Sequence, residues 1–293
     1  MEQRKCTVNP AEIEVSEWMD FVEMVSRLEG RWHYRGILDN WHLKTSLERV
    51  AGDWGIPQKE LPNLEKQLVV EFKRAYYLNA GAIALDADDT LGWLALMQHH
   101  GAPTRLLDLT YSPFVAAFFA LDHLLCCEDP ERKAAVWAFS IKPFEKPEKA
   151  LATEELRVAY GEYQKTRAGG PFREVFLLAK PPSTHAFLVN PFLRTERLAV
   201  QQGLFVIPGN ICLSFEENLC AVPQISDYGC LQKIILPRSV LPEAFVWLSR
   251  MNITSASLFP GLDGFARGLR HRAQFLLSPD RFQGTEYYGN TYY

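Results

Sequence analysis

The chain has no CxxC pair, no apolar run long enough to cross a bilayer and no excess of positive charge. Each of these absences removes a class of function. The six cysteines stand at positions 6, 126, 127, 212, 220 and 230. A lone Cys-Cys doublet is poor geometry for zinc, so no metal site is expected. The thiols read as free and buried in a reducing compartment, and neither Cys127 nor Cys220 has a local motif that would make it a nucleophile. The most apolar window, Phe114 to Cys127, contains Asp122 and His123. It falls short of the roughly 20 apolar residues that a spanning helix needs. The opening MEQRKCTVNPAEIEVSE carries no apolar stretch after its charges, which argues against a secretory leader. The expectation is a cytoplasmic protein with no membrane partner.

Charge narrows the partners further. With 31 Lys+Arg against 35 Asp+Glu the net charge is −4. That balance disfavours binding to nucleic acid through a general positive field and leaves room only for a local basic patch. GxSxG, HExxH, Walker A and dinucleotide-binding glycine fingerprints are all missing. Asp86, Asp88 and Asp89 lack the glycine and terminal glutamate of a calcium loop; Asp88 or Asp89 reads better as a helix cap.

What is present is material for a core. Of the 293 residues, 47% are hydrophobic, enough for one large domain or two small ones. Apolar spacing predicts a helix over Glu12–Glu29, capped by Ser16 and ending at Gly30. A short aromatic strand follows at Arg31–Ile37, then a turn leading into a helix within Trp41–Val50. Helices are expected at Pro62–Asn79, Thr90–Met97 and, buried, Phe114–Leu125. Strands are expected at Ala134–Ile141, His185–Val189, Leu204–Ile207 and Gln232–Leu236. The charged stretch Lys142–Arg173 reads as a long helical or irregular excursion on the surface, not a domain linker. Two helices close the pattern at Arg238–Met251 and Leu262–Phe275. This order predicts an α+β fold: a single domain with a central split or mixed β-sheet surrounded by helices. Residues 1–30 form an N-terminal helical segment, 31–275 the domain, and 276–293 a tail that is loose unless a partner covers it.

One run concentrates polar chemistry. In QHHGAPTRLLDLT, Gln98 to Thr110, three hydrogen-bonding side chains end a helix and Gly101 and Pro103 break it. Thr104, Arg105, Asp108 and Thr110 then decorate an otherwise apolar segment. Buried polar groups without partners cost roughly 1–3 kcal/mol each. Two arrangements satisfy them: an internal network in which Arg105 pairs with Asp108, or a ligand pocket. The cluster Arg267, Arg270, His271 and Arg272 reads as a solvated helix face or as a phosphate-contacting one. His33, His42, His123 and His185 are scattered and read as structural.

Longer blocks carry a resemblance. Tyr34-Arg35-Gly36, WHLKTSLER from Trp41 to Arg49, and QHHGAPTRLLDLT with SPFVAAFFAL behind it resemble the FRG domain family. RLAVQQGLFVI (Arg197–Ile207), KIILP (Lys233–Pro237) and LFPGLDG (Leu258–Gly264) extend the likeness, so that 31–275 is read as the FRG domain. Tyr34 stands where the family's name-giving triplet has Phe, and Leu109 where Trp is common. The family is mainly bacterial and phage-borne, and its context implies a toxin or defence effector.

The motif order is in turn similar to the ADP-ribosyltransferase superfamily, which implies an ADP-ribosyltransferase-like sheet. It also implies NAD as substrate, a nucleotide as small-molecule partner and a protein or nucleic acid as acceptor. On that resemblance Arg35, Thr110 and Gln201 are the candidate catalytic residues. Arg35, Gly36, His99, His100 and Thr110 would bind NAD, with Gln98, Thr104, Arg105 and Asp108 supporting them. Gln201 stands where a carboxylate would activate the acceptor, and an amide cannot take a proton. A non-catalytic nucleotide-binding module is therefore the alternative. A protein-interaction groove formed by the tail aromatics, Tyr111 and Phe114 is a third reading. A nucleotide site requires that Arg35, His99 and Gln201 line one cleft.

Overall fold

Tyr34, Gly36 and Leu38 leave one side of their strand while Arg35 and Ile37 leave the other, so a single strand serves two packing layers. The computed structural model describes residue 8 and residues 10–79, 85–191, 195–225 and 229–277. Seven described strands, β1 (Ala11–Glu14), β2 (Trp32–Leu38), β3 (Leu107–Thr110), β4 (Ala134–Ser140), β5 (Ala186–Val189), β6 (Gly203–Pro208) and β7 (Leu231–Leu236), form one sheet. Its order is β1-β7-β4-β2-β3-β6-β5. β1 runs parallel to β7 and the other neighbours are antiparallel, which makes the sheet mixed. At the centre β2 and β3 are in register at one position, Tyr34 opposite Thr110.

Twelve described α-helices surround the sheet. The first half of the chain supplies α1 (Trp18–Ser26), α2 (Ser46–Asp53), α3 (Leu61–Asn79), α4 (Thr90–His99) and α5 (Pro113–Leu125). The second half supplies α6 (Glu154–Thr166), α7 (Gly169–Arg173), α8 (Glu196–Val200), α9 (Phe215–Cys220), α10 (Leu241–Arg250), α11 (Ser255–Leu258) and α12 (Leu262–Leu277). The arrangement is α+β, as the order of elements predicts.

Two cores share one side of the sheet. In the first, α1, α5 and α10 press Trp18, Phe21, Phe118 and Phe245 onto Tyr34, Leu38, Val136 and Ile234. In the second, α4, α6 and α7 bring Leu94, Tyr160, Tyr163 and Phe172 over Phe187 and Phe205. A third core covers the opposite side, where α9 packs Phe215 and Leu219 against Ile37, Leu109, Trp137 and Leu204. Lys142–Arg173 is helical in α6 and α7, as one of its readings had it, but it is no surface excursion. Its charged residues face outward, but Tyr160, Tyr163 and Phe172 are buried.

The N-terminal segment is also more than a helix. β1 was expected to be helical, and four alternating residues, AEIE, are too few to declare a strand. It gains its identity from β7 and from two ion pairs, Lys233 to Glu12 at 2.7 Å and Lys133 to Glu14 at 2.6 Å. The cap of α1 is accordingly Glu17, not Ser16. Asp89 caps α4 by accepting from Gly92 N at 2.9 Å. Ser112 caps α5, with Pro113 in its first turn. Of the tail, 278–293 lies outside the described residues.

Candidate functional site

Between the first two cores the sheet is left uncovered, and a cavity of about 270 Å³ opens there. β2 contributes Tyr34, Arg35 and Gly36; the end of α4 contributes Gln98 and His99; β3 contributes Asp108 and Thr110. α5 supplies Phe119 and His123 from the side, and α8 with the start of β6 supplies Arg197, Gln201 and Gly203. Phe259 and Arg267 complete the wall. Arg35, His99 and Gln201 thus line one cleft.

Arg35 fills the seam where β2 and β3 part. Its Nη1 donates to the Asp108 backbone carbonyl at 2.7 Å and lies 3.8 Å from the Asp108 carboxylate. Burial lowers the guanidinium pKa from its ordinary value, and the Asp108 charge opposes that shift. Arginine nonetheless stays charged, because its ordinary pKa lies far above neutrality.

Gly36 has a structural reason to be glycine. A Cβ there would overlap the Ala116 carbonyl oxygen and lie 2.7 Å from Ala120 N. The close approach of α5 to β2 requires it, through glycine on the strand and Ala116, Ala117 and Ala120 on the helix.

The supporting residues form a network with different partners from those expected. Gln98 Nε2 donates to Asp108 Oδ2 at 2.8 Å, while Gln98 Oε1 accepts from Thr104 Oγ1 at 2.6 Å. Thr104 N donates to Ser46 Oγ at 2.9 Å, tying the run to α2. Arg105 does not pair with Asp108. It grips Glu65 of α3 instead, so the two halves of the expected pair serve separate purposes.

The remaining candidates divide. The Thr110 hydroxyl donates to the Gln201 carbonyl at 2.8 Å and accepts from Ser112 N at 3.1 Å. Gln201 is the C-cap of α8 and not a strand residue; β6 starts at Gly203. Its side-chain Nε2 donates to the Leu258 carbonyl at 3.0 Å. His99 faces the cavity, and burial lowers its pKa, with His100 and Arg197 acting in the same direction. His100 is not a cavity residue: its ring packs near Phe72, 6.3 Å between centroids.

Among the cavity residues, Arg197 and Phe259 were not singled out from sequence, although each lies in a quoted block, and Arg267 was named only within the basic cluster. Arg197 and Arg267 both place their guanidiniums over the Phe259 ring, at 4.6 and 4.8 Å from its centroid. Such cation–π contacts hold a flat cation without consuming all its donors. Arg197 also donates to the His99 carbonyl at 3.4 Å. Arg267 forms an ion pair with Asp122 of α5, which is 1% exposed. Burial alone would raise the Asp122 pKa, but the His271 hydrogen bond and Arg267 outweigh it and hold the carboxyl below its ordinary value. The basic cluster on α12 is therefore not purely a solvated face.

Asp122 also takes part in a suggestive alignment. His271 Nε2 lies 2.9 Å from Asp122 Oδ1, and His271 Nδ1 lies 3.5 Å from Ser255 Oγ. The order mimics a hydrolase triad, but Ser255 is 0% exposed. A nucleophile sealed from substrate cannot act, so the three groups dock α12 and α11 onto α5.

Among the described residues no group of three or more His, Cys, Asp or Glu side chains is disposed to hold a metal, and no helix is long and apolar enough to cross a membrane.

The fold and site thus define a mixed-sheet α+β protein with a cationic, aromatic-walled cavity at the sheet centre. Residues 30–125 match the model of the FRG domain family. No curated protein and no solved structure matches the chain. The matched segment holds β2, α4, β3 and α5, which carry Arg35, His99, Asp108 and Thr110. Arg197, Phe259 and Arg267 come from beyond it.

Proposed function

We propose that the chain binds NAD in this cavity and cleaves it, by ADP-ribosyl transfer or by glycohydrolysis, in the manner of an ADP-ribosyltransferase-like fold. The observation that carries the reading is the charge of the wall. Among the described residues, three guanidiniums, Arg35, Arg197 and Arg267, meet a single lining carboxylate, Asp108. Guanidinium forks suit phosphate oxygens. Phe119 and Phe259 offer apolar surface for a planar ring, and His99 offers a ring nitrogen to a ribose hydroxyl.

Cleavage breaks the bond from ribose C1′ to nicotinamide nitrogen, and the bonding electron pair leaves with nicotinamide. The C1′ centre then resembles an oxocarbenium ion, as in sugar transfer generally. Water or an acceptor nucleophile forms the new bond to C1′ and gives up a proton. Gln201 cannot take that proton, whereas the Asp108 carboxylate can, and Gln98 holds it in place. Arg35, Thr110 and Gln201 order the site around it. The acceptor of a transfer reaction is a protein or a nucleic acid. The cellular role that fits the FRG resemblance is a cytoplasmic toxin or anti-phage defence effector.

A second reading is a nucleotide-binding module without turnover. It is favoured by the Thr110 hydroxyl and the Gln201 amide nitrogen, both already engaged within the protein. The protein-interaction groove gains less support. Tyr111 is exposed, but Phe114 packs against Trp18 and Phe21 at 6.3 Å.

The test is calorimetric titration with NAD, followed by incubation with NAD labelled in its adenine half. Wild type is compared with Arg35→Ala and, because Arg35 is buried in the seam, with Arg197→Gln. Released nicotinamide that falls in both variants supports the enzyme. Binding without product leaves the sensor module, and absence of binding ends the nucleotide reading.

A further inference from the structure

The block WHLKTSLER is part of the FRG match, yet none of its residues lines the cavity. Its position gives it a task. Trp41 follows β2 directly and is 44% exposed, an unusual state for a tryptophan. One side of its ring rests on His123, 5.1 Å between centroids, and His123 lines the cavity. The exposed ring therefore stands at the cavity rim.

The rim is rigid. Trp41 N donates to the Leu38 carbonyl at 3.1 Å, and Leu43 N donates to Glu216 Oε1 at 3.2 Å. Leu43 is itself buried, and Leu47 N donates to the Thr104 carbonyl at 3.0 Å. Arg49 Nη1 donates to the Lys44 carbonyl at 2.8 Å, bracing the link that runs from Trp41 into α2. The Arg49 charge is near enough to both Arg35 and His123 to disfavour their protonated forms.

Cavity size supplies the second argument. About 270 Å³ lies at the small end for ligand pockets, which run from roughly 300 to 1,000 Å³. One nucleotide fills such a space; the other half of a dinucleotide has to lie outside. A flat, exposed ring at the rim offers it stacking, and a cation on the same WHLKTSLER block offers a phosphate contact.

We infer that Trp41 and Arg49 form a rim subsite for the adenosine half of a dinucleotide whose nicotinamide half occupies the cavity. The inference rests on the NAD reading above. Trp41 would stack on the adenine, and Arg49 would face the diphosphate as it leaves the cavity.

The experiment titrates NAD, nicotinamide mononucleotide and AMP into wild type, Trp41→Ala, Trp41→Phe and Trp54→Ala. Thermal unfolding confirms that each variant is folded. Trp54 is also exposed, at 80%, and lines no part of the cavity, so it controls for loss of a surface tryptophan. The expected result is that Trp41→Ala weakens NAD about tenfold or more, in keeping with loss of one base–aromatic stack. Affinity for nicotinamide mononucleotide should stay unchanged, and Trp41→Phe should restore most of the NAD affinity. Equal weakening of NAD and the mononucleotide would mean that Trp41 only supports His123, and would overturn the subsite. NAD affinity indifferent to Trp41 would overturn it too, as would a cavity that takes AMP and refuses the mononucleotide. If wild type binds none of the three, the nucleotide reading itself fails and the subsite falls with it.

Discussion

Arg105 and Glu65 meet as an ion pair from which water is excluded, each side chain being 4% exposed. Arg105 Nε donates to the two carboxylate oxygens at 2.8 and 2.9 Å, Nη2 adds a further bond, and Nη1 donates to the Phe176 carbonyl at 2.9 Å. The pair joins α3, the run entering β3 and the π turn Glu174–Leu178 that follows α7. Removing one partner leaves the other charge buried without compensation, which costs about 3–5 kcal/mol. Glu65→Ala should lower the unfolding free energy by that amount in urea titrations. The double variant Glu65→Leu with Arg105→Met should recover much of it, since an apolar replacement needs no compensation. A loss below about 1 kcal/mol for the single variant would match a surface pair and contradict the burial.

Two glycines should respond to alanine with opposite signs. Gly36→Ala puts a methyl group into the Ala116 carbonyl of α5, and both groups are backbone-held. Overpacking of this kind costs about 1–3 kcal/mol or prevents folding. Gly52, inside α2, has nothing within 4 Å of an added Cβ. Alanine there should stabilise by about 0.5–1 kcal/mol through helix propensity and a less free unfolded chain. Denaturation curves of the two variants side by side are the check. A tolerated Gly36→Ala would show that α5 can lift from β2.

The contrast between these features shows what was legible in the residue order. α3 and α12 declare themselves by apolar spacing, α4 and α5 by apolar content and a capping residue, and β4 by residue type. β1 does not, because its strand character comes from β7 some 220 residues later, through pairs such as Glu12 with Lys233. The stretch 142–173 misleads for a related reason. Its charges dominate the composition, while three aromatic side chains, Tyr160, Tyr163 and Phe172, do the packing.

At the site, the Gln98–Thr110 run and Arg35 were readable as a polar cluster and a triplet. The partner of Arg105 was not, since Glu65 sits on a helix with no local cue. Arg197, Arg267 and Phe259 reach the cavity only through tertiary packing of α8, α11 and α12. No spacing rule links them to Arg35.

Buried histidines set a pH dependence. His185 is 2% exposed and stands edge-on to Phe187, 4.8 Å between centroids. Burial lowers its pKa, and the nearby Ala221 backbone offsets part of the shift. His33 and His123 are lowered as well, chiefly by burial. A histidine whose folded pKa lies below its unfolded value of about 6.5 is neutral in both states above that pH and contributes no slope there. As the pH falls below about 6.5 the unfolded chain takes up the proton first, and stability is lost down to the folded pKa. The unfolding free energy should thus decrease as the pH falls below about 6.5. His185→Phe should reduce that slope and leave the high-pH stability little changed. The Asp122 carboxyl, lowered in the folded state, adds a separate loss at more acidic pH, as it is protonated. A slope of opposite sign above the carboxylate range would contradict the burial of these rings.

Asp108 separates chemistry from binding. Its side chain is 54% exposed, one oxygen is held by Gln98 Nε2 at 2.8 Å, and the Arg35 guanidinium stands 3.8 Å away. Asparagine keeps the shape but cannot accept a proton. If Asp108 takes the proton from the attacking water or acceptor, Asp108→Asn should lower NAD turnover by about 10²–10⁴-fold, the usual worth of a positioned base. NAD affinity should change little or rise slightly, since a negative charge beside the phosphates is removed. The split between turnover and affinity carries the decisive distinction: a merely structural role would lower activity and affinity together.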